Sequence, residues 1–195
     1  MTVRIATAKD ELQLMDLCRA LHADNGLFEM DDELTKGMLY RAFDRKGGII
    51  GVIDGTNEIA AAIYMMLSNF WYSKQTHLEE LFSFVKPPYR KSNYAKELLE
   101  FAKSCQRELG VPLVIGIITN RRQEAKVTLY RKKLGTPAGA FFVVGGHWIN
   151  ETEPCEDLWR RHSHGRDKKR GNGIMEAILP STTTTAPLPM LPLGK

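Results

Sequence analysis

A turn rich in hydrogen-bond donors lies between a predicted strand and a predicted helix. The segment VKPPYRKSNYAKELL runs from Val85 to Leu99, and residues 90–93 bring two cations and two polar side chains to the start of the helix. The first N–H groups of a helix lack partners, and the helix dipole makes that end partly positive. The turn therefore predicts an anion site suited to a phosphate or a pyrophosphate. Alternatively, Arg90 and Lys91 are merely solvated, although a cation at the positive end of a helix dipole destabilises the helix by about 0.3 to 1 kcal/mol.

Motifs for several other chemistries are absent from the sequence. It contains no Gly-x-Ser-x-Gly, no phosphate loop with Gly-Lys-Ser/Thr and no His-Glu-x-x-His. The three cysteines, Cys18, Cys105 and Cys155, are too scattered for a disulfide framework or a metal knuckle. His162 and His164 near Cys155 could touch a metal, but a flexible polar tail explains them better. We therefore predict no metal site.

Length and composition predict one folded, soluble domain. The 195 residues are 43% hydrophobic, which is enough for an ordinary core. The first residues lack the apolar core of a signal peptide, and no apolar run approaches the roughly 18 residues that span a bilayer. The few cysteines fit a reducing cytosol, so we expect a cytoplasmic protein with no membrane partner. The net charge of +4 favours anionic ligands without requiring nucleic acid.

Hydrophobic periodicity predicts alternating strands and helices along the first 150 residues. A short strand at residues 3–6 precedes a helix that Thr7 and Asp10 cap, and a second helix begins at Asp31 or Asp32. Two apolar runs around an Asp-Gly turn predict a β-hairpin. The later predicted elements, in chain order, are a strand ending at Val85, a helix ending at Gly110, a buried strand over residues 111–119, a helix from Asn120 to Leu134, and one or two strands within residues 138–149.

The chain changes character beyond about residue 150. Residues 160–170, RRHSHGRDKKR, form a basic cluster, and residues 181–195 are rich in Thr and Pro. We predict a domain of residues 1–150 followed by a largely disordered tail of residues 151–195. The basic cluster could bind nucleic acid or an acidic protein partner, but most such runs are simply solvated.

The strand-to-helix segment resembles the acetyl-CoA binding segment of the GCN5-related N-acetyltransferases. In that family strand four ends in Val-x-Pro-x-Tyr-Arg, and the following loop runs Arg-x-x-Gly-x-Gly/Ala. Arg90, Asn93 and Ala95 occupy the Arg, first Gly and Gly/Ala positions. The order of predicted elements over residues 3–149 also matches. The resemblance implies an α/β (α+β) fold, with a mixed, mostly antiparallel central sheet of six to seven strands, splayed strands four and five, and about four flanking helices.

The resemblance implies acetyl-CoA as co-substrate and an amine as acceptor, with direct attack on the thioester and no covalent enzyme intermediate. Backbone groups near Phe84 and Val85 would pair with the pantetheine arm, and the amides of residues 91–95 would hold the pyrophosphate. Asn93 replaces a glycine of the family, although Asn is the non-Gly residue most tolerant of positive φ. The residues expected to contact the co-substrate are Phe84, Val85, Arg90, Lys91, Ser92, Asn93, Tyr94, Ala95 and Asn120.

The same resemblance implies catalytic roles for a tyrosine and a carboxylate. Tyr130, in LYRKKLG, would protonate the departing thiolate; the alternative is a half-buried tyrosine that packs on the third helix. Neighbours on a strand point to opposite faces, so one of Glu79 and Glu80 can face the cleft as the base. We favour Glu80, because Phe82 and Phe84 share its face, although a β-bulge would reverse that parity. His77 is a further candidate base, but a lone histidine there is more often structural.

Two loops would border the acceptor site in this fold. One is the loop between the first two helices, with His22, Asp24, Asn25 and Phe28, and the other, residues 69–77, carries three consecutive aromatic residues. Those aromatic residues could line a substrate slot, cover a core edge or form a homodimer contact. We expect an N-acetyltransferase acting on a primary amine. The alternative is a non-catalytic CoA-binding module that acts through its basic C-terminal tail on nucleic acid or a protein partner.

Overall fold

Five strands form one sheet in the part of the chain that the computed structural model describes, residues 3–119 and 122–140. They lie side by side in chain order, and all neighbours are antiparallel except the last, parallel pair. A mixed, mostly antiparallel sheet is therefore confirmed, while residues 141–149 of the predicted last strands lie outside the described residues. The strands are β1 Arg4–Ile5, β2 Gly48–Asp54, β3 Ile59–Asn69, β4 Thr76–Val85 and β5 Leu113–Val114.

Four α-helices flank the sheet within the same ranges, as predicted. Their bounds are α1 Glu11–Asn25, α2 Asp32–Phe43, α3 Tyr94–Leu109 and α4 Gln123–Leu134. Asp31 caps α2, because its side chain accepts a hydrogen bond from the Leu34 N–H at 2.9 Å. Thr7 and Asp10 form the predicted capping box before α1. None of the described helices has the length and apolar character needed to cross a bilayer.

The sheet separates two apolar clusters, one on each face. Helices α1 and α2 cover one face, where Leu14 and Leu39 pack with Tyr64 and Phe84. Helix α3 covers the other face, where its buried side chains pack with β2, β3 and β4 residues such as Ile53, Ile63, Met65 and Leu78. Because neighbouring residues of a strand point to opposite faces, β3 supplies side chains to both clusters.

Strand β4 contains a β-bulge at Leu81. Tyr64 of β3 pairs with Phe82, but the next residue, Met65, pairs with Glu80, so Leu81 has no partner on β3. A bulge bends the strand that carries it and shifts which side chains share a face. The face of each residue in β4 therefore has to be assigned separately before and after Leu81.

Strands β4 and β5 pair only over a short stretch and then separate. The ladder consists of Leu78 with Leu113 and Glu79 with Val114. The buried strand predicted over residues 111–119 is too long, because residues 115–119 form no ladder with β4. The bend at Leu81 directs the rest of β4 away from the following segment. The predicted splay of strands four and five is confirmed, and among the described residues it leaves the β5-facing edge of residues 83–85 without a neighbouring strand.

Candidate active site

Two clefts border the second half of β4. The smaller, of about 340 Å³, lies against the turn before α3 and is named here the turn cleft. The larger, of about 570 Å³, lies against α1 and α2 and is named the apolar cleft. Four residues line both clefts: Asn25, Ser83, Lys126 and Tyr130. A molecule bound in one cleft could therefore reach a molecule bound in the other beside Tyr130.

The turn cleft offers backbone N–H groups at the start of α3. Two amides of the turn are already used, because Ser92 N–H donates to the Tyr89 carbonyl at 3.0 Å and Tyr94 N–H donates to Ser92 Oγ at 3.2 Å. The prediction that all amides of residues 91–95 hold an anion is therefore wrong for these two. Three others have no acceptor among the described residues: Lys91, Asn93 and Ala95.

Asn93 does not adopt the left-handed conformation that its position suggested. Its φ is −85° and its ψ is 8°, values open to any residue. The replacement of the family's glycine therefore causes no backbone strain at this point. Asn93 and Ala95 both line the turn cleft.

The Arg90 side chain is fixed by contacts within the chain. Its Nη2 donates to Asp24 Oδ2 at 2.6 Å, and its Nε donates to the Val85 carbonyl at 3.1 Å. The guanidinium lies 5.5 Å from the centre of the Phe84 ring. Asp24 and Arg90 are both largely buried, with 12% and 22% of their side chains exposed. Arg90 thus presents its charge to the turn cleft while joining α1 to β4.

The remaining residues expected to bind the co-substrate are distributed unevenly. Phe84, Val85 and Ser92 line the turn cleft, whereas Lys91 and Tyr94 do not. The Tyr94 ring instead stacks on Tyr89, with 6.1 Å between ring centres. Asn120 lies outside the described residues. Three cations that the sequence reading missed also line this cleft, on α3, before α4 and on α4: Lys96, Arg122 and Lys126.

Tyr130 and Glu80 meet where the two clefts join. The Tyr130 hydroxyl interacts with the Glu80 carboxylate and with the Ser83 hydroxyl. Burial raises the pKa of Tyr130 above its ordinary value, and the Glu80 charge raises it further, while Ser83 opposes this rise. Tyr130 therefore stays protonated at neutral pH.

Glu80 has the environment of a proton acceptor. Burial raises its pKa to about 7, and the Lys126 charge and the interaction with Tyr130 limit the rise. Its Oε2 atom is buried and has no hydrogen-bond partner within the described residues. Burial also lowers the pKa of Lys126, against the opposing influence of the Glu80 charge. A carboxylate of this kind can take up and release a proton near neutral pH.

The bulge at Leu81 reverses the strand parity on which the choice of Glu80 was based. Glu80 pairs with Met65, whereas Phe82 pairs with Tyr64. Directly paired residues point to the same face, and Met65 and Tyr64 belong to opposite faces. Glu80 therefore does not share a face with Phe82, and that reason for choosing it was wrong. It shares the face of Ser83, which is why both reach Tyr130.

His77 and the aromatic loop line neither cleft. His77 is buried, its ring stacks on Phe70 with 4.5 Å between ring centres, and its Nε2 lies 3.8 Å from Glu79 Oε2. Trp71 is 94% exposed, and Tyr72 stacks on Phe70. The expectation that the loop of residues 69–77 borders the acceptor site is therefore not met by its described contacts. The loop after α1 does line the apolar cleft, through Gly26 and Met30.

The fold is similar to solved acetyltransferase structures. A predicted acetyltransferase from Clostridium acetobutylicum, solved with acetyl-CoA, has a TM-score of 0.60 and 14% identity, over 73% of this chain and 94% of that one. A GNAT family acetyltransferase from Staphylococcus aureus has a TM-score of 0.52 and 18% identity, over 74% and 99%. An aminoglycoside acetyltransferase from an uncultured soil metagenomic sample, in complex with sisomicin, has a TM-score of 0.53 and 14% identity, over 73% of this chain and 91% of that one. No protein-family model matches the chain, and a comparison with curated proteins finds no match.

Proposed function

Because this chain has the fold of the GCN5-related N-acetyltransferases, we propose that it transfers an acetyl group from acetyl-CoA to a primary amine. The observation that carries the proposal is the position of Tyr130, which lies where the turn cleft and the apolar cleft join and interacts with Glu80 and Ser83. A donor in one cleft and an acceptor in the other would meet beside a proton acceptor and a proton donor.

The turn cleft fits the diphosphate of the co-substrate. The N–H groups of Asn93 and Ala95, with that of Lys91 beside them, have no acceptor among the described residues and lie at the positive end of α3. Arg90, Lys96 and Arg122 bring positive charge to the same cleft. The edge of β4 at Phe84 and Val85 has no neighbouring strand among the described residues, and it offers backbone groups other than the Val85 carbonyl, which Arg90 binds, to an extended arm. When bound, acetyl-CoA would supply an activated thioester carbonyl.

Glu80 would prepare the acceptor for attack. An amine attacks only as the neutral base, and at neutral pH most alkyl amines are ammonium ions. Because its pKa is about 7, Glu80 is largely ionised slightly above neutral pH and can remove a proton from such an ammonium. Lys126 beside it would balance the charge of the carboxylate.

Tyr130 would assist departure of the thiolate. Its raised pKa keeps its proton in place until a strongly basic group forms next to it. Transfer of that proton to the departing sulfur, with the second proton of the attacking nitrogen passing to the Tyr130 oxygen, would complete the reaction without a covalent bond to the enzyme. Ser83, on the other side of the hydroxyl, could hold Tyr130 in position.

The experiment that tests the function separates binding from turnover. Wild-type protein should consume acetyl-CoA with members of an amine panel, and Tyr130→Phe should lose about 10²-fold or more in kcat while calorimetry shows unchanged CoA affinity. Tyr40→Phe is the matched control, because Tyr40 donates to Glu11 at 2.6 Å and lines neither cleft. Equal activity of the two variants would refute the role of Tyr130.

Two results would favour the non-catalytic alternative. One is tight CoA binding without turnover of any amine, and the other is loss of a nucleic-acid or protein interaction on removal of residues 151–195. The predicted tail lies outside the described residues, so the boundary near residue 150 and the role of the basic cluster stay predictions. Under the proposed function, the deletion should leave turnover unchanged.

A further inference from the structure

The apolar cleft has a composition that selects among amines. We infer that the acceptor is a primary monoamine with an apolar carbon skeleton, an inference that rests on the proposed function because it assigns this cleft to the acceptor. The cleft volume, about 570 Å³, is typical of sites for small molecules. Tyr130 and Glu80 lie at its end, beside the turn cleft, so the amino group would point there and the skeleton away.

The walls beyond Glu80 are mainly hydrocarbon. Half-buried side chains of α1, the following loop and α2 form one side, and Phe82 of β4 and residues 117–118 form the other. Two of these residues are methionines, Met30 and Met38, whose flexible thioethers adapt to differently shaped apolar groups. Burying an alkyl or aryl skeleton against such walls favours binding by about 0.8 kcal/mol per CH₂, or about fourfold in affinity.

The polar side chains of these walls are engaged within the protein. The Tyr64 hydroxyl donates to the Met38 carbonyl at 2.8 Å. His22 Nε2 lies 2.6 Å from the Phe28 carbonyl oxygen, and Asn25 Oδ1 accepts from the Thr119 hydroxyl. A polyhydroxylated acceptor would therefore exchange its water hydrogen bonds for few new ones. An apolar skeleton loses nothing by this arrangement.

The described residues that α1, α2 and the loop between them contribute to the apolar cleft carry no carboxylate. Among the described residues that line it, the carboxylates are Glu79 and Glu80, which are neighbours on β4. A second ammonium group, several carbons away, would lie near Met38 and Leu39 without a counter-charge. Removing an unpaired charge from water is costly, so a diamine should bind in this cleft far more weakly than the monoamine of equal length.

Matched amine pairs test the inference. The pairs are pentylamine with 1,5-diaminopentane and heptylamine with 1,7-diaminoheptane, assayed for kcat/KM with acetyl-CoA and for affinity to CoA-loaded Tyr130→Phe by calorimetry. We expect each monoamine to exceed its diamine by about 10²-fold in both kcat/KM and affinity. We expect heptylamine to exceed propylamine by at least tenfold in the same two quantities. Diamines that equal or exceed the monoamines in either measurement would overturn the inference.

The two measurements distinguish the inference from the function on which it rests. Tighter binding of monoamines without any turnover would support the inference and count against the proposed catalysis. Turnover that favours diamines would support the catalysis and overturn the inference. Absence of amine binding to the CoA-loaded protein would overturn the inference whatever the turnover.

A charge placed in the wall gives a second test. Met38→Glu should narrow or reverse the preference for monoamines. The ratio of kcat/KM for the diamine to kcat/KM for the monoamine should rise by about tenfold or more, whereas the control Met38→Leu should keep the wild-type ratio. Met30→Glu serves the same purpose in the loop after α1 and avoids a change within α2, in case Met38→Glu folds poorly. An unchanged preference in a folded glutamate variant would overturn the assignment of this wall to the acceptor skeleton.

Discussion

The two clefts differ in what builds them. About half of the residues that line the turn cleft belong to one continuous segment, residues 83–96, which includes the backbone N–H groups of Asn93 and Ala95. The apolar cleft is assembled from side chains of α1, α2, β4 and residues 114–118. Backbone geometry follows from a short local sequence, whereas a surface made by four separate segments follows from the tertiary fold. The turn cleft is therefore more readily predicted from the sequence than the apolar cleft.

The bulge at Leu81 divides β4 between the two clefts. Residues 79–82 line only the apolar cleft, residues 84 and 85 line only the turn cleft, and Ser83 lines both. Because the bulge turns Glu80 to the face of Ser83, a carboxylate from the apolar side reaches Tyr130 at the junction. Variants on the two sides of Ser83 should therefore have separable effects.

The largest expected effect is that of Glu80→Gln, which should impair turnover of the amine without weakening CoA binding. Loss of the proton acceptor should lower kcat/KM by about 10² to 10⁴-fold while CoA affinity stays within about twofold. Steady-state kinetics and calorimetry measure the two quantities. Glu108→Gln is the matched control, because Glu108 is exposed near the end of α3 and lines neither cleft. A similar loss in both variants would contradict the assignment of the base to Glu80.

A charge reversal at Arg90 tests the other cleft. Arg90→Glu places a negative charge in the turn cleft and beside Asp24, so CoA affinity should fall by at least about tenfold. Lys91→Glu makes the same change in net charge at an exposed neighbour that does not line the cleft, where salt screens it. Calorimetry at two salt concentrations compares them, with a melting curve to confirm folding. Equal losses, or none at Arg90, would remove the turn cleft as the diphosphate site.

The buried carboxylate at the junction should also change the pH dependence of stability. The folded-state pKa of Glu80 is raised from 4.5 to about 7, so between these values the unfolded chain ionises Glu80 while the folded chain keeps it neutral. The contribution of neutral Glu80 to the free energy of unfolding is full below pH 4.5 and is lost as pH rises through 7. At about 1.4 kcal/mol per pKa unit, the loss is roughly 3 to 4 kcal/mol.

Urea unfolding of wild type and Glu80→Gln at pH 4.5, 6 and 8 measures this loss. The difference between the two proteins isolates Glu80 from groups that both share, such as Asp10, whose pKa is lowered by the bond from Arg4. Wild type should lose stability relative to the variant as pH rises. A difference that stays constant with pH would show that Glu80 is not shifted.

The sequence was informative where local rules determine structure. The Asp-Gly hairpin, the Asp31 cap and the helix after Pro88 follow from turn chemistry, capping and a period of 3.6 residues. The bulge at Leu81 was not predictable in this way, because it depends on how β3 and β4 align. For the same reason the fifth strand was predicted too long: its apolar residues signal burial but not whether a neighbouring strand is within reach.

The residues of the site divide along the same line. Arg90, Asn93 and Ala95 were found from a motif, since they adjoin one another in the chain. Lys126 and Ser83 were missed as site residues because nothing local marks them, and Asp24 was expected near the acceptor but not as the partner of Arg90. Asp24 and Arg90 are 66 residues apart in the chain, and only the packing of α1 beside β4 brings them together.

The smallest expected effect concerns the wall that α2 contributes to the apolar cleft. Asp31→Ala removes the side-chain acceptor for the Leu34 N–H and should lower the free energy of unfolding by about 1 kcal/mol. Because α2 supplies Met38 and Leu39, the KM for the amine should rise modestly while CoA affinity stays unchanged. Asp44→Ala at the other end of α2 is the control, since its pair with Lys46 is exposed and a negative charge there opposes the helix dipole. If the Asp31 variant weakened CoA binding as much as amine binding, the two clefts would not be independent, and the division of β4 at Ser83 would lose its functional meaning.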